Sequence, residues 1–182
     1  MLEGTDWTTV LVALATGGTA ALGPVLLWIK QAQGERKSVR AALFAEVSAL
    51  IELVERRHYL NDMKRYEAFL LPLTRRELDE LNPDDFKYPI TVGEHYNRVY
   101  QANVSRLGIL SAVEARQIVR FYQLADSVRA DVSPGGPLYS GTTNRQSYTE
   151  AIGILEDAIE IGTALTRPWS HRMKWVKGML KK

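Results

Sequence analysis

Glu55 and His58 are the two residues of this 182-residue chain that come nearest to a metal site. They match the E-x-x-H spacing, which places a carboxylate and an imidazole on one helix face and supplies ligands in di-iron helical bundles. Such a site needs a second copy of the motif, but neither His95 nor His171 has a glutamate three residues before it. We therefore interpret Glu55 and His58 as part of a solvated face, and we expect no metal and no other cofactor.

Other patterns that carry chemistry are missing from the sequence. The chain has no cysteine, which excludes disulfides, thiolate nucleophiles and cysteine-bound zinc. It has no phosphate-binding loop, dinucleotide-binding motif or nucleophile elbow. Small helical ribonucleases use an arginine and a histidine with four to six residues between them, whereas only three residues lie between Arg167 and His171. We therefore expect no catalytic residue and no enzyme, with a metal-dependent enzyme built on Glu55 and His58 as the disfavoured alternative.

Polar and aromatic side chains occur together in one stretch, which is a candidate binding surface. Its residues are His95, Tyr96, Asn97, Tyr100 and Asn103. Tyrosines at such spacing more often pack at the edge of a helical bundle with the hydroxyl in water, and we favour that alternative. The formal net charge of +2 is too small to indicate a nucleic-acid partner, so we expect no specific nucleic-acid binding.

Residues 1–30 predict a transmembrane anchor. Trp7 to Ile29 is a run of 23 residues without a charge, and a helix of that length spans about 35 Å, enough to cross a bilayer core. The first basic residue is Lys30, and others follow closely, so the positive-inside rule places residues 31–182 in the cytoplasm and the N-terminus outside. We expect a single-pass protein of the bacterial inner membrane, with the lipid bilayer as a partner. A signal peptide and a buried soluble helix are the alternatives.

Small residues of this segment fall on one helical stripe and predict helix packing or a pore lining. The stripe comprises Thr9, Ala13, Thr16, Gly17, Ala20 and Ala21. Three of these residues are spaced four apart, a pattern that lets helix backbones approach closely. We therefore expect a homo-oligomer, in which a ring of copies could line a narrow pore. The alternative is that small residues are simply common in such helices.

Residues 31–182 predict a helical domain. Apolar residues keep a period of about 3.6 over residues 31–65 and again over residues 143–165. Capping-box patterns stand at Thr74/Glu77, Thr91/Glu94 and Ser111/Glu114, and residues 133–137 form a Pro/Gly loop. No segment shows sustained strand alternation. The expected fold is therefore all-α, with an N-terminal transmembrane helix followed by a bundle of about four main helices.

The C-terminal segment of this domain predicts a basic amphipathic helix. Apolar residues recur there at helical spacing among arginines and lysines. Such a segment typically lies on an anionic membrane surface or contacts an acidic partner. The residues expected to make this contact are Trp169, Arg172, Met173, Lys174, Trp175 and Lys177. The alternative is that the apolar face packs on the bundle.

Three stretches carry a resemblance to known proteins: residues 96–103 (YNRVYQAN), 107–110 (LGIL) and 118–122 (IVRFY). They resemble small uncharacterised bacterial membrane proteins that have an N-terminal anchor and a helical domain. The overall plan is also similar to the membrane-pore accessory protein of type VI RNA-guided antiviral systems. That resemblance implies one membrane helix joined to a helical bundle, assembly into a ring and a role in antiviral defence.

Three functions are open from the sequence. We favour a membrane-anchored, self-associating scaffold or pore-forming effector, because the small-residue stripe and the basic tail both suit it. A membrane-tethered adaptor that binds one soluble protein partner is the alternative, and the metal-dependent enzyme is the third.

Overall fold

The chain is all-helical in the part that the computed structural model describes, which is residues 7–167, with side chains from residue 24 onward. No β-strand occurs within this part, so the predicted all-α class is confirmed. Two short 3-10 helices, Pro83–Phe86 and Val104–Ile109, accompany the α-helices. The α-helices are α1 (Trp7–Arg56), α2 (Tyr59–Leu70), α3 (Arg75–Glu80), α4 (Arg98–Asn103), α5 (Ala112–Val132), α6 (Pro137–Ser140) and α7 (Arg145–Thr166).

Two compact units divide the chain, Met1–Arg40 and Ala41–Lys182. In the first unit, every residue from 24 to 38 is exposed, although the helix contains a run of large apolar side chains. These side chains, which we call the apolar turn, are between 40% and 70% exposed. The apolar turn consists of Val25, Leu26, Leu27, Trp28 and Ile29.

The structure of α1 corrects the prediction of a membrane anchor. Within the described residues, none of the helices combines the length and the apolar character needed to cross a membrane. The predictions of a transmembrane helix over residues 1–30 and of an inner-membrane location are therefore wrong. The physical reason is that, where the structure describes side chains, the apolar run of this helix extends only from Val25 to Ile29 before the charged residues that begin at Lys30, whereas a span needs about 20 predominantly apolar residues in succession.

The break between α1 and α2 lies at His58, inside the predicted long helix over residues 31–65. His58 has a φ of 56°, in the left-handed region, which non-glycine residues seldom adopt and which ends helical hydrogen bonding. Apolar periodicity continues across this break, because α2 begins again at Tyr59. The helix is therefore longer than predicted at its N-terminal end and shorter at its C-terminal end.

Two of the three predicted capping boxes are confirmed. Thr74 with Glu77 opens α3, and Ser111 with Glu114 opens α5, each with reciprocal side-chain and backbone hydrogen bonds. The third prediction, a helix opened by Thr91 and Glu94, is wrong. Residues 94–97 form turns instead, and α4 begins only at Arg98.

The core of the second unit forms where α7 packs against α5 and α2. Gly162 on α7 marks a tight approach between these helices, since a Cβ atom there would lie 2.6 Å from Ile51 and 2.8 Å from Phe121. Tyr148, also on α7, is completely buried and donates a hydrogen bond of 2.6 Å to the Phe86 carbonyl. These contacts fix α7 between the C-terminal part of α1 and α5.

Candidate functional site

Glu46 on α1 joins three elements through one carboxylate. Its Oε1 accepts the Val99 N–H at 2.8 Å, and its Oε2 accepts the Tyr100 N–H at 2.9 Å. The Tyr122 hydroxyl on α5 donates to the same Oε2 at 2.6 Å. The first backbone N–H groups of a helix have no partner within the helix, and a carboxylate is their favoured acceptor. Glu46 therefore caps α4 from a distant helix and takes the place of the predicted local capping box.

Tyr100 and Tyr122 stack beside this carboxylate, with ring centroids 4.0 Å apart and an angle of 16° between the ring planes. Burial and the hydrogen bond to Glu46 raise the pKa of the Tyr122 phenol above its ordinary value. Burial likewise raises the pKa of Tyr100. Both phenols therefore stay protonated at neutral pH, and that of Tyr122 serves as a hydrogen-bond donor to Glu46.

A second polar group lies near this pair and comprises Tyr96, Asp126 and Arg129. The Tyr96 hydroxyl donates to Asp126 Oδ1 at 2.6 Å. The guanidinium carbon of Arg129 lies 5.9 Å from the centroid of the Tyr96 ring, a cation–π distance. The Nε atom of Arg129 is buried and, within the described residues, has no hydrogen-bond partner. An N–H donor buried without an acceptor costs free energy, so this atom marks a position where an acceptor would be stabilising.

An apolar cavity of about 110 Å³, partly open to solvent, is lined in part by Tyr96 and Arg129. Its walls come from α1, α2, α5, α7 and the segment before α4, and they are almost entirely hydrocarbon. Residues that line it include Ile51, Val54, Met63, Val128, Leu155 and Ile159. Tyr96 and Arg129 also line a polar depression on the protein surface, together with Glu94 and Asp126. Tyr96 and Arg129 are thus common to the cavity and the depression, and we call this arrangement the cavity site.

The residues of the polar-aromatic stretch that was predicted as a binding surface lie in different surroundings in the structure. Tyr96 belongs to the cavity site, and Tyr100 belongs to the stack on Tyr122. Asn97 is only 5% exposed. Asn103 donates to the Val99 carbonyl at 2.8 Å within its own helix. The stretch is thus partly built into the core and is not a continuous surface.

The Glu55 and His58 pair does not share a helix face. Glu55 lies in the last turn of α1, whereas His58 stands in the left-handed break that precedes α2. In the part of the chain that the structure describes, no group of three or more His, Cys, Asp or Glu residues could hold a metal ion.

The side chains of both sets of contact residues predicted from the sequence lie outside the part that the structure describes. The small-residue stripe lies on the helical backbone of α1, but its side chains are outside the described part. The basic segment with Trp169, Arg172, Met173, Lys174, Trp175 and Lys177 lies outside the described residues altogether. Both sets stay predictions.

Glu46, Asp126 and Arg129 were not singled out from the sequence. The sequence contains an indication for Glu46, because this residue stands in the apolar stripe of α1 between Leu43 and Leu50, where a charged residue needs a partner. The sequence contains no such indication for Asp126 and Arg129, since acidic and basic residues at such spacing usually belong to a solvated helix face. Only their placement beside Tyr96 and the cavity distinguishes them.

Comparison with known proteins adds no relative: no protein-family model, curated protein or solved structure matches the chain. The resemblance to small bacterial membrane proteins and to an antiviral accessory protein therefore stays a prediction from the sequence.

Proposed function

We propose that this protein is a non-enzymatic, self-associating helical scaffold whose copies join through α1. The observation that carries the proposal is the apolar turn, where five consecutive large apolar side chains are between 40% and 70% exposed. Contiguous exposed apolar surface marks an interaction site on a protein. A helix that is apolar on all sides is normally buried, and five consecutive residues point in every direction around the axis.

A second copy of the chain is the occupant that the sequence of α1 favours. The same helix carries Ala13, Gly17 and Ala21 at the four-residue spacing that permits close approach of two helix backbones. A stable interface uses about 20–30 residues from each partner. Residues 24–38 supply 15 of these positions as one continuous exposed stretch of helix. Glu35 offsets one of the three basic residues in this stretch, so identical copies repel each other less than the basic residues alone would make them.

The mass of the full chain in solution tests this proposal. Light scattering over a range of protein concentrations is expected to show a discrete oligomer. The double variant Leu27→Glu/Trp28→Glu should be monomeric, because it places two buried carboxylates in the interface. The matched control is Gln31→Glu/Gln33→Glu, which makes the same charge change on exposed residues of the same helix and should keep the oligomer.

Two results would contradict self-association through the apolar turn. One is a monomer at every concentration for the unaltered chain, which would favour the alternative of an adaptor whose soluble partner covers this surface. The other is an oligomer that survives Leu27→Glu/Trp28→Glu unchanged. Helix content by circular dichroism, measured on each variant, separates loss of assembly from loss of folding.

A further inference from the structure

We infer that an open surface depression between α2 and residues 86–88 binds a quaternary ammonium group, such as the trimethylammonium group of choline. Four of the six residues that line this depression are aromatic, and we call it the aromatic depression. Its lining consists of Asp62, Arg65, Tyr66, Phe69, Phe86 and Tyr88. The inference does not depend on self-association, because no residue of α1 lines the depression.

The rings of the aromatic depression meet at steep angles. The centroid of the Tyr66 ring lies 6.0 Å from that of Phe86 and 5.9 Å from that of Tyr88, with ring planes inclined by 64° and 68°. One face of Tyr66 stacks on Tyr148, which is completely buried. The opposite face is therefore the one that Tyr66 can offer to the depression. A group seated in this corner can lie within about 6 Å of several ring centroids at once, the range over which rings attract cations.

The chemistry of the rings favours a methylated cation over a simple ammonium group. The face of an aromatic ring is negative and attracts positive charge. A simple ammonium would lose hydrogen bonds to water that ring faces cannot replace, whereas methyl groups need no such partner. Phe69 is 55% exposed, and its ring centroid lies 5.7 Å from that of Phe86. The methyl groups of the ligand would cover this apolar surface.

Asp62 supplies a negative charge at the edge of the aromatic depression. Burial, followed by the charge of Asp62, raises the pKa of the Tyr88 phenol, so the carboxylate lies beside this ring. Arg65 is the competing cation, with its Nη1 atom 3.8 Å from Asp62 Oδ1. The Arg65 side chain is 85% exposed, and ion pairs of this kind contribute little. A cation held by several rings can therefore displace Arg65 from the carboxylate.

Choline and its carbon analogue dimethylbutanol test the inference on the full chain. The two molecules have nearly the same shape, but carbon replaces the charged nitrogen in the alcohol. Proton NMR of the ligand reports the site directly, because methyl groups that face aromatic rings shift upfield. Choline is expected to show a saturable upfield shift with a Kd on the order of 1 mM, and dimethylbutanol should bind at least about tenfold more weakly.

Phe69→Leu tests the contribution of the rings. The variant keeps an apolar side chain but removes one ring face, so the Kd of choline should rise about two- to fivefold. The matched control is Tyr139→Leu, which removes an exposed ring outside the aromatic depression and should leave the Kd unchanged. Circular dichroism of each variant checks that it is folded.

Two variants of the ion pair test the position of the ligand charge. Asp62→Asn removes the carboxylate and should raise the Kd of choline, whereas Arg65→Gln removes the competing cation and should lower it by about two- to fivefold. Asp157→Asn is the control, because Asp157 also forms an exposed ion pair with an arginine but lies outside the depression. Weaker binding by Arg65→Gln would overturn the placement of the ligand charge at Asp62.

Vesicles separate two sources of the same chemical group. Sedimentation with phosphatidylcholine vesicles that Phe69→Leu weakens would assign the group to a lipid, with phosphatidylglycerol vesicles as the control that lacks it. Choline binding without such sedimentation would assign it to a free compound. The absence of a saturable choline shift in the unaltered chain would overturn the inference. Equal affinities for choline and dimethylbutanol would overturn it as well, as would a Kd of choline that neither Phe69→Leu nor Asp62→Asn changes.

Discussion

The Tyr122 hydroxyl donates a hydrogen bond of 2.6 Å to the Glu46 carboxylate, although the two residues lie 76 positions apart in the sequence. The same carboxylate accepts the N–H groups of Val99 and Tyr100. One side chain of α1 thus connects the start of α4 with the middle of α5. Removing it would leave three donors in a partly buried place without an acceptor.

Glu46→Ala is therefore expected to lower the free energy of unfolding by about 2–4 kcal/mol, because unsatisfied buried donors retain their full desolvation cost. Urea denaturation followed by circular dichroism measures this change. Glu52→Ala is the control on the same helix, since Glu52 only forms an exposed ion pair with Arg56 and should cost less than about 1 kcal/mol. Equal losses from the two variants would contradict the role of Glu46.

Replacing two glycines of α7 by alanine, one at a time, should change the free energy of unfolding in opposite directions. Gly162→Ala places a Cβ atom 2.6 Å from Ile51 and 2.8 Å from Phe121, so we expect a loss of about 1–3 kcal/mol from overpacking. Gly153 has no atom within 4 Å of such a Cβ, so Gly153→Ala should stabilise the helix by about 0.5–1 kcal/mol. Thermal unfolding of both variants measures the signs, and a stabilised Gly162→Ala would show that the approach at this position is not tight.

Stability should fall as the pH rises above about 10. Burial raises the pKa of Tyr148 to about 12 and raises that of Tyr96, Tyr100 and Tyr122 as well. The unfolded chain loses these phenolic protons near pH 10, whereas the folded chain keeps them, so the stabilisation present below about pH 10 is lost as the pH rises towards the folded-state pKa values. Urea midpoints measured between about pH 8 and pH 11, with tyrosinate absorbance, check this.

Tyr122→Phe should make that decline with pH shallower, because it removes one of the phenols whose pKa is raised by folding. Tyr139→Phe is the matched control, since Tyr139 is exposed, and it should leave the slope unchanged. A slope that is the same for all three proteins would contradict the contribution of Tyr122.

The two capping boxes should differ in their effect on global stability. Ser111→Ala removes the cap of α5, which carries buried residues of the core, and should cost about 1 kcal/mol. Thr74→Ala removes the cap of α3, which has no buried residue, so we expect faster hydrogen exchange at α3 with a smaller change in global unfolding. Hydrogen exchange and urea denaturation together distinguish the two. An equal global loss from both would show that α3 unfolds only with the whole domain.

Features that depend on neighbouring residues could be predicted from the sequence. The caps at Thr74 and Ser111 and the helix that became α7 follow from local patterns, and the structure confirms them. The loop predicted over residues 133–137 is confirmed up to Gly136, because Pro137 begins α6. The helix expected at Thr91 failed because its acceptor comes from Glu46 on another element. The break at His58 was missed because apolar periodicity continues on both sides of it.

The cavity site could not be predicted from a single sequence. Tyr96 was recognised as part of a polar-aromatic stretch, but its partners Asp126 and Arg129 lie about 30 residues further along and meet it only through helix packing. An empty volume has no sequence signal at all, because it reflects how several helices fail to fill the space between them. The apolar turn was recognised from its composition, but its environment was assigned wrongly.

The distant cap of α4 also determines when this helix can form during folding. α4 has six residues and no side-chain cap of its own, and so short a helix does not nucleate in isolation. Its acceptor, Glu46, lies 53 positions before Val99 in the sequence, so the cap forms only when the chain between them has closed into a loop. We therefore expect α4 to form late on the folding pathway and to be among the first elements to open in the native state.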